Sequence, residues 1–190
     1  MYKLCKTEQS AQRQRQLEDG LLDAMLQQRY EDISISDLCD QLQVPRKSFY
    51  RYFASKDGAL HALIDHRLLE FEMLTSSKSS RTSHGELNLL MFYEFWYSQK
   101  RLLDALSRSG LSNVLAERSI ELSCGSEKMG YYTLRTHKNI RDVAITFVTS
   151  GLMTLVIQWH RDGFQESPRE MAEITQLLLA HPLVPGIRLH

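Results

Sequence analysis

Between Arg46 and Lys56 the sequence RKSFYRYFASK carries four cations, Arg46, Lys47, Arg51 and Lys56, with no acid among them and with Tyr50 and Tyr52 interleaved. Guanidinium and ammonium groups at the start of a short helix can reach the O6 and N7 acceptors of guanine. The hydroxyls of Ser48, Tyr50 and Tyr52, and Lys56 at the start of the next helix, suit phosphate oxygens. Arg51 lies to one side of this row, and Ser36, early in the preceding helix, can reach the neighbouring backbone or a base. Recognition of duplex DNA is the chemistry these types and spacings could perform. The plainer alternative is a solvated helix face with buried tyrosines, and the caps, turn and core spacing around the stripe argue against it.

Other reactive residues form no comparable set. His61 and Asp65 stand four apart with His66 adjacent, but a helical pair without a third ligand gives no metal site, and none is expected. Cys124 and His137 lack an orienting group or oxyanion element, so no catalysis and no cofactor are expected. Cys5, Cys39 and Cys124 lie far apart without a CxxC pairing, which favours free thiols in a reducing compartment.

Three helices must position the stripe. The first is predicted over Ser10–Gln28, with Leu17, Leu21, Ala24 and Met25 on one face and Gly20 weakening it slightly. Ser34 and Asp37 then make a capping start for a second helix, Ile35–Leu42. Gln43-Val44-Pro45 forms a turn, and the third helix is Arg46–Tyr52. Leu38, Leu42, Val44, Phe49 and Phe53 are the apolar positions where two such helices bury against each other, and Cys39 reads as a small buried hydrophobe beside them.

Scarce glycine and proline and recurrent helical spacing make the whole chain all-α. Ser55 caps a fourth helix running to about Leu74, and the Ser-rich TSSKSSRTSHG breaks it. Helices are predicted over Gly85–Lys100, Arg101–Ser107 and Leu111–Leu122, then over Tyr131–His137 and Ile140–Arg161. Ser167-Pro168-Arg169-Glu170 opens the last, which ends before His181. Phe92, Phe95 and Trp96 share a face of the aromatic fifth helix and are candidates for a ligand pocket, with ordinary core the competing reading. Ile140–Arg161 is apolar almost all round and needs neighbours on several sides.

The 190 residues can bury a substantial core. Their 23 basic and 23 acidic residues cancel, so the overall charge points neither to nucleic acid nor to membrane. No run of eighteen uncharged apolar residues and no signal-peptide pattern is present, so a soluble cytoplasmic protein is expected.

The segment ISISDLCDQLQVPRKSFYRYFASKDGAL, residues 33–60, resembles the signature of the TetR family of transcription regulators. LEDGLLDAML before it resembles that family's first helix, and FVTSGLMTLVIQWHRDGFQESPREMAE its last two. The family carries glycine where Gln43 stands, a position associated with positive φ, and Gly58 replaces a more usual acidic or helix-favouring residue. The resemblance implies a helix-turn-helix domain over residues 1–55 and a helical body over residues 56–190. It further implies a homodimer on double-stranded operator DNA, and repression relieved by a small-molecule effector. Pairing through the last two helices would use Phe147, Leu152, Leu155, Trp159, Met171, Ile174 and Leu178. Control by a protein partner, an activator's role and, more remotely, a helical enzyme are the competing readings.

Overall fold

A computed structural model describes residues 2, 3, 5, 7–78, 88–125 and 138–180. The described residues form nine α-helices and one isolated bridge, an all-α architecture. These are α1 (Glu8–Gln27), α2 (Ile35–Gln41), α3 (Arg46–Tyr52), α4 (Lys56–Lys78), α5 (Leu89–Ser98), α6 (Lys100–Arg108), α7 (Ser112–Gly125), α8 (Lys138–Arg161) and α9 (Pro168–Ala180). The helix expected over Tyr131–His137 lies outside the described residues.

Side-chain caps set most of the starts. Thr7 accepts from the Ser10 amide at 3.2 Å, which begins α1 two residues earlier than predicted. Ser55 accepts from the Gly58 amide at 3.1 Å, and Asn88 from the Met91 amide at 3.0 Å. At α9 the reciprocal capping box is complete: Glu170 accepts from the Ser167 amide at 2.7 Å while Ser167 accepts from the Glu170 amide at 3.3 Å. Helix α4 runs past its predicted end at Leu74 to Lys78, and within it Thr75 donates its hydroxyl to the Glu72 carbonyl at 2.8 Å, which a helix tolerates.

Buried apolar side chains from the first helix to the last make one continuous core. Helix α1 runs through it, packed on α2, α4 and α6. Gly20 is needed there, since a Cβ at this position would lie 2.5 Å from the Leu42 side chain. Its absence of side chain, read above as a mild weakening of the helix, is what lets the end of α2 approach. Further along, α7 packs on α8 and α5 on α9, where the Tyr93 and Thr175 hydroxyls meet at 2.6 Å.

Charged groups are also buried between the elements. Asp65 on α4 is fully buried, and Arg118 from α7 grips both of its oxygens. The Tyr2 hydroxyl donates to the same carboxylate at 2.8 Å, and burial followed by this hydrogen bond pushes the Tyr2 phenol well above its ordinary pKa. Tyr2 bridges to Phe53, and the Lys3 amide donates to the Tyr52 carbonyl at 3.0 Å. At the next residue of α4 after Asp65, His66 Nδ1 lies 2.8 Å from Glu18 on α1; burial raises the Glu18 carboxyl pKa against the opposing effect of His66.

Removing one partner of a buried ion pair leaves the other charge without compensation. Arg118→Met should therefore lower stability at neutral pH by about 3 kcal/mol, read as a shifted urea midpoint with an unchanged denaturant slope.

Candidate nucleic-acid interface

The interface is built on α2, the following turn and α3. Ser34 accepts from the Asp37 amide at 3.0 Å and donates to the Asp37 carboxylate at 2.7 Å, so α2 starts where the sequence places it. At its end the Val44 amide donates to the Cys39 carbonyl at 2.9 Å, and Gln43 adopts φ 53°. This is the left-handed turn expected where glycine is usual. Pro45 caps α3 from an extended conformation, and Phe49 and Phe53 sink completely into the core with ring centroids 5.1 Å apart.

Burying that face turns the other outward. Arg46, Lys47, Tyr50 and Arg51 are exposed, and Ser48 is half-buried at their edge. Tyr50 is 47% exposed and braced edge-on against Phe49 at 5.7 Å. Ser36 is half-buried in the first turn of α2. Six of the sequence-predicted DNA contacts thus lie on α3's outward side or beside it.

Two others are placed differently. Tyr52 is buried, because it follows Phe49 by three residues on the inward face of α3. Lys56 is committed inside the chain. Its ammonium donates to the carbonyls of Tyr30 at 2.5 Å, Ile33 at 2.7 Å and Glu31 at 3.3 Å, and it stands 4.4 Å from the Tyr30 ring centroid. All three ammonium protons are used by the 3-10 turn Tyr30–Asp32 that leads into α2, so the side chain holds the connector rather than a phosphate. Asp57 completes the clamp by accepting from the Tyr30 hydroxyl at 2.6 Å. The sequence offered only the orphan carbonyls of that connector as a signal.

In the helical body, Phe92, Phe95 and Trp96 do come together, as packed core. Phe71 meets Phe92 and Phe95 at centroid distances of 5.6 and 5.2 Å, and Trp96 lies 5.3 Å from Phe95. A groove of about 450 Å³ lies elsewhere, between the starts of α5 and α9, lined by Asn88, Leu89, Leu90, Arg169, Ala172, Glu173 and Gln176. The buried Trp96 indole N–H meets no acceptor among the described residues. Of the residues expected at a subunit interface, Phe147 is 76% and Ile174 41% exposed, and Leu155 and Leu178 are half-buried. Leu152, Trp159 and Met171 instead fill the protomer's own core, Trp159 donating its indole N–H to the Glu166 carbonyl at 3.0 Å. A helix apolar on every side does not declare which stripe its own chain will cover.

Residues 103–181 match the family model described as a transcriptional regulator C-terminal region. The fold is also that of a TetR-family transcriptional regulator from Streptomyces coelicolor, which is 22% identical and covers 92% of this chain and 99% of its own, with a TM-score of 0.63. It is shared with the fatty acid degradation regulator FadR from Bacillus halodurans, 16% identical over 98% of this chain and 100% of its own, with a TM-score of 0.58. No curated protein sequence matches the chain. The fold is that of these regulators, and α2, the turn at Gln43 and α3 have the arrangement of a helix-turn-helix. The chain thus combines a match to a transcriptional-regulator C-terminal region over residues 103–181 with the fold of TetR-family regulators.

The left-handed Gln43 carries strain that glycine would not. Gln43→Gly should raise stability by about 1 kcal/mol in chemical denaturation while leaving DNA affinity unchanged.

Proposed function

We propose that this chain acts in the cytoplasm as a homodimeric repressor of a two-fold-symmetric operator and lets go of DNA when its helical body, residues 56–190, takes up a small molecule. The observation that carries this reading is the outward row Arg46, Lys47, Tyr50 and Arg51, whose cations have no carboxylate partner among the described residues. With α3 entering the major groove N-terminus first, Arg46 and Lys47 meet base edges. Ser48, Tyr50 and Arg51 meet the flanking phosphates, and Ser36 the backbone beside α2.

Pairing is supported by α8 and α9. The span Asp142–Arg161 is long and apolar enough to cross a bilayer, with a mean hydropathy of 1.4, yet only 28% of that window is buried in the protomer. Its most exposed apolar residues, Val143 and Phe147, stand one turn apart on one stripe, and α9 presents Ile174 and Leu177. A stripe of this kind, backed on its other side by α7, fits a second copy of itself about a two-fold axis better than lipid. Such a dimer would set the two α3 helices about 34 to 36 Å apart, one turn of DNA. For the effector, the groove between the starts of α5 and α9 offers the recess, with Arg169, Glu173 and Gln176 as its polar lining. Release follows if the ligand binds the two arrangements of the dimer unequally.

Two measurements test this. In anisotropy titrations against a panel of duplexes, Arg46→Ala and Lys47→Ala should relax sequence preference by about 1 to 3 kcal/mol, whereas Tyr50→Phe should weaken all duplexes alike. In sedimentation, Phe147→Glu should yield a folded monomer that has lost operator binding. A wild-type protein that stays monomeric, or ignores every duplex at low salt, overturns the reading.

A further inference from the structure

Beside the recognition helix is a polar notch of about 310 Å³, formed where the first two turns of α1 pass α3 and lined by Gln9, Ser10, Arg13, Ser48, Arg51 and Tyr52. We infer that this notch seats one backbone phosphate of the bound duplex, so that α1, which the helix-turn-helix reading leaves as scaffold, is itself part of the DNA contact. The inference rests on the DNA-binding reading above and adds Arg13, with Ser10, to its residues.

What marks the notch is that two arginines and two serines line one recess. Five cations among the described residues are paired with carboxylates: Arg29 with Glu31, Arg67 with Asp19 and Glu70, Lys100 with Asp104, Arg101 with Asp23, and Arg118 with Asp65 and Glu121. Arg13 and Arg51, which share the notch, have no carboxylate partner among the described residues. Each is nevertheless held. Arg13 donates to the Gln16 side-chain oxygen at 2.8 Å, and Arg51 lies 6.0 Å from the Tyr52 ring centroid. Two steadied guanidinium groups facing one polar recess repel each other unless an anion comes between them, and a phosphate accepts from guanidinium forks and hydroxyls together.

The lining supplies both donor types, since the Ser10 and Ser48 hydroxyls stand with the two arginines. Glu8, the acid of α1's first turn, is not among the lining residues. Tyr52 also gains a place here. Buried on the inner side of α3, it forms part of the notch wall and supports Arg51 from below. Because Arg51 lies in the last turn of α3, beyond Arg46 and Lys47, the notch is offset from the base-reading end of the helix, where a phosphate rather than a base edge is met.

The test uses the full-length protein, a duplex it prefers, selected from a random library, and a scrambled duplex, each titrated by anisotropy across a salt series. Arg13→Gln should weaken both duplexes by the same factor, about tenfold at low salt, and make the slope of log affinity against log salt shallower by about 0.9. Arg13→Lys should keep the slope. Arg108→Gln, an exposed cation at the end of α6, should change neither quantity. Arg13 is itself exposed, so the thermal midpoint should stay at the wild-type value. If the wild type binds and Arg13→Gln leaves affinity and slope intact, the phosphate seat is overturned while DNA binding stands. A changed order of preference among duplexes would also overturn it, by assigning Arg13 to base reading. A wild type that binds no duplex removes the DNA-binding reading itself.

Discussion

A carboxylate cut off from water must be compensated where it sits, and Asp65 is compensated from two directions at once. Arg118 reaches it from α7 and Tyr2 from the N-terminal segment, and that segment is bridged to Phe53 at the end of α3. The position of α4 is therefore tied to the body on one side and to the recognition helix on the other. None of the three groups can move far alone, because each would leave a buried partner unsatisfied. Glu18 and His66, the residue after Asp65, make a second such contact between α1 and α4.

A second set of polar contacts fixes the entry to α2. Lys56 and Asp57 open α4 and hold the Tyr30–Asp32 turn, while the Tyr30 amide donates to the buried Ser109 hydroxyl at the end of α6 at 3.0 Å. Tyr30 thus joins three elements through its amide, carbonyl and hydroxyl. Burial and then Asp57 keep its phenol far above its ordinary pKa, so it remains a donor at physiological pH. A displacement of α6 against α1 breaks this bond directly. The connector held by that bond is the one that leads into α2 and α3.

What could be read from the sequence was local. Ser34, Ser55 and Ser167 announced their helices because a cap acts within four residues, and α3 matched its predicted span because Pro45 and the Phe49–Phe53 pair bracket it. The left-handed Gln43 was legible through the resemblance, from the glycine the family carries at that position. Contacts across space were not. Lys56 looked like any basic residue beside a DNA-binding helix, and nothing near it in sequence declares the carbonyls it serves more than twenty residues away. Gly20 read as a flaw until Leu42 was seen against it. The division of α8 into Phe147 outside and Leu152 and Trp159 inside depends on which neighbours pack there, and a helix apolar all round has no periodicity to reveal it.

The same distinction explains how a chain with 23 acids and 23 bases can present a cationic face. Net charge sums over the whole molecule, whereas a duplex meets only one side of it within about a Debye length of 8 to 10 Å. In the body and along the second half of α1, several arginines are paired with carboxylates: Arg67 with Asp19, Arg101 with Asp23 and Arg118 with Asp65. Around α3 and the start of α1 no acid answers Arg13, Arg46, Lys47 or Arg51 among the described residues. The field that attracts DNA is thus set by the pattern of pairing rather than by the balance of residues, and a composition of zero net charge never excluded it.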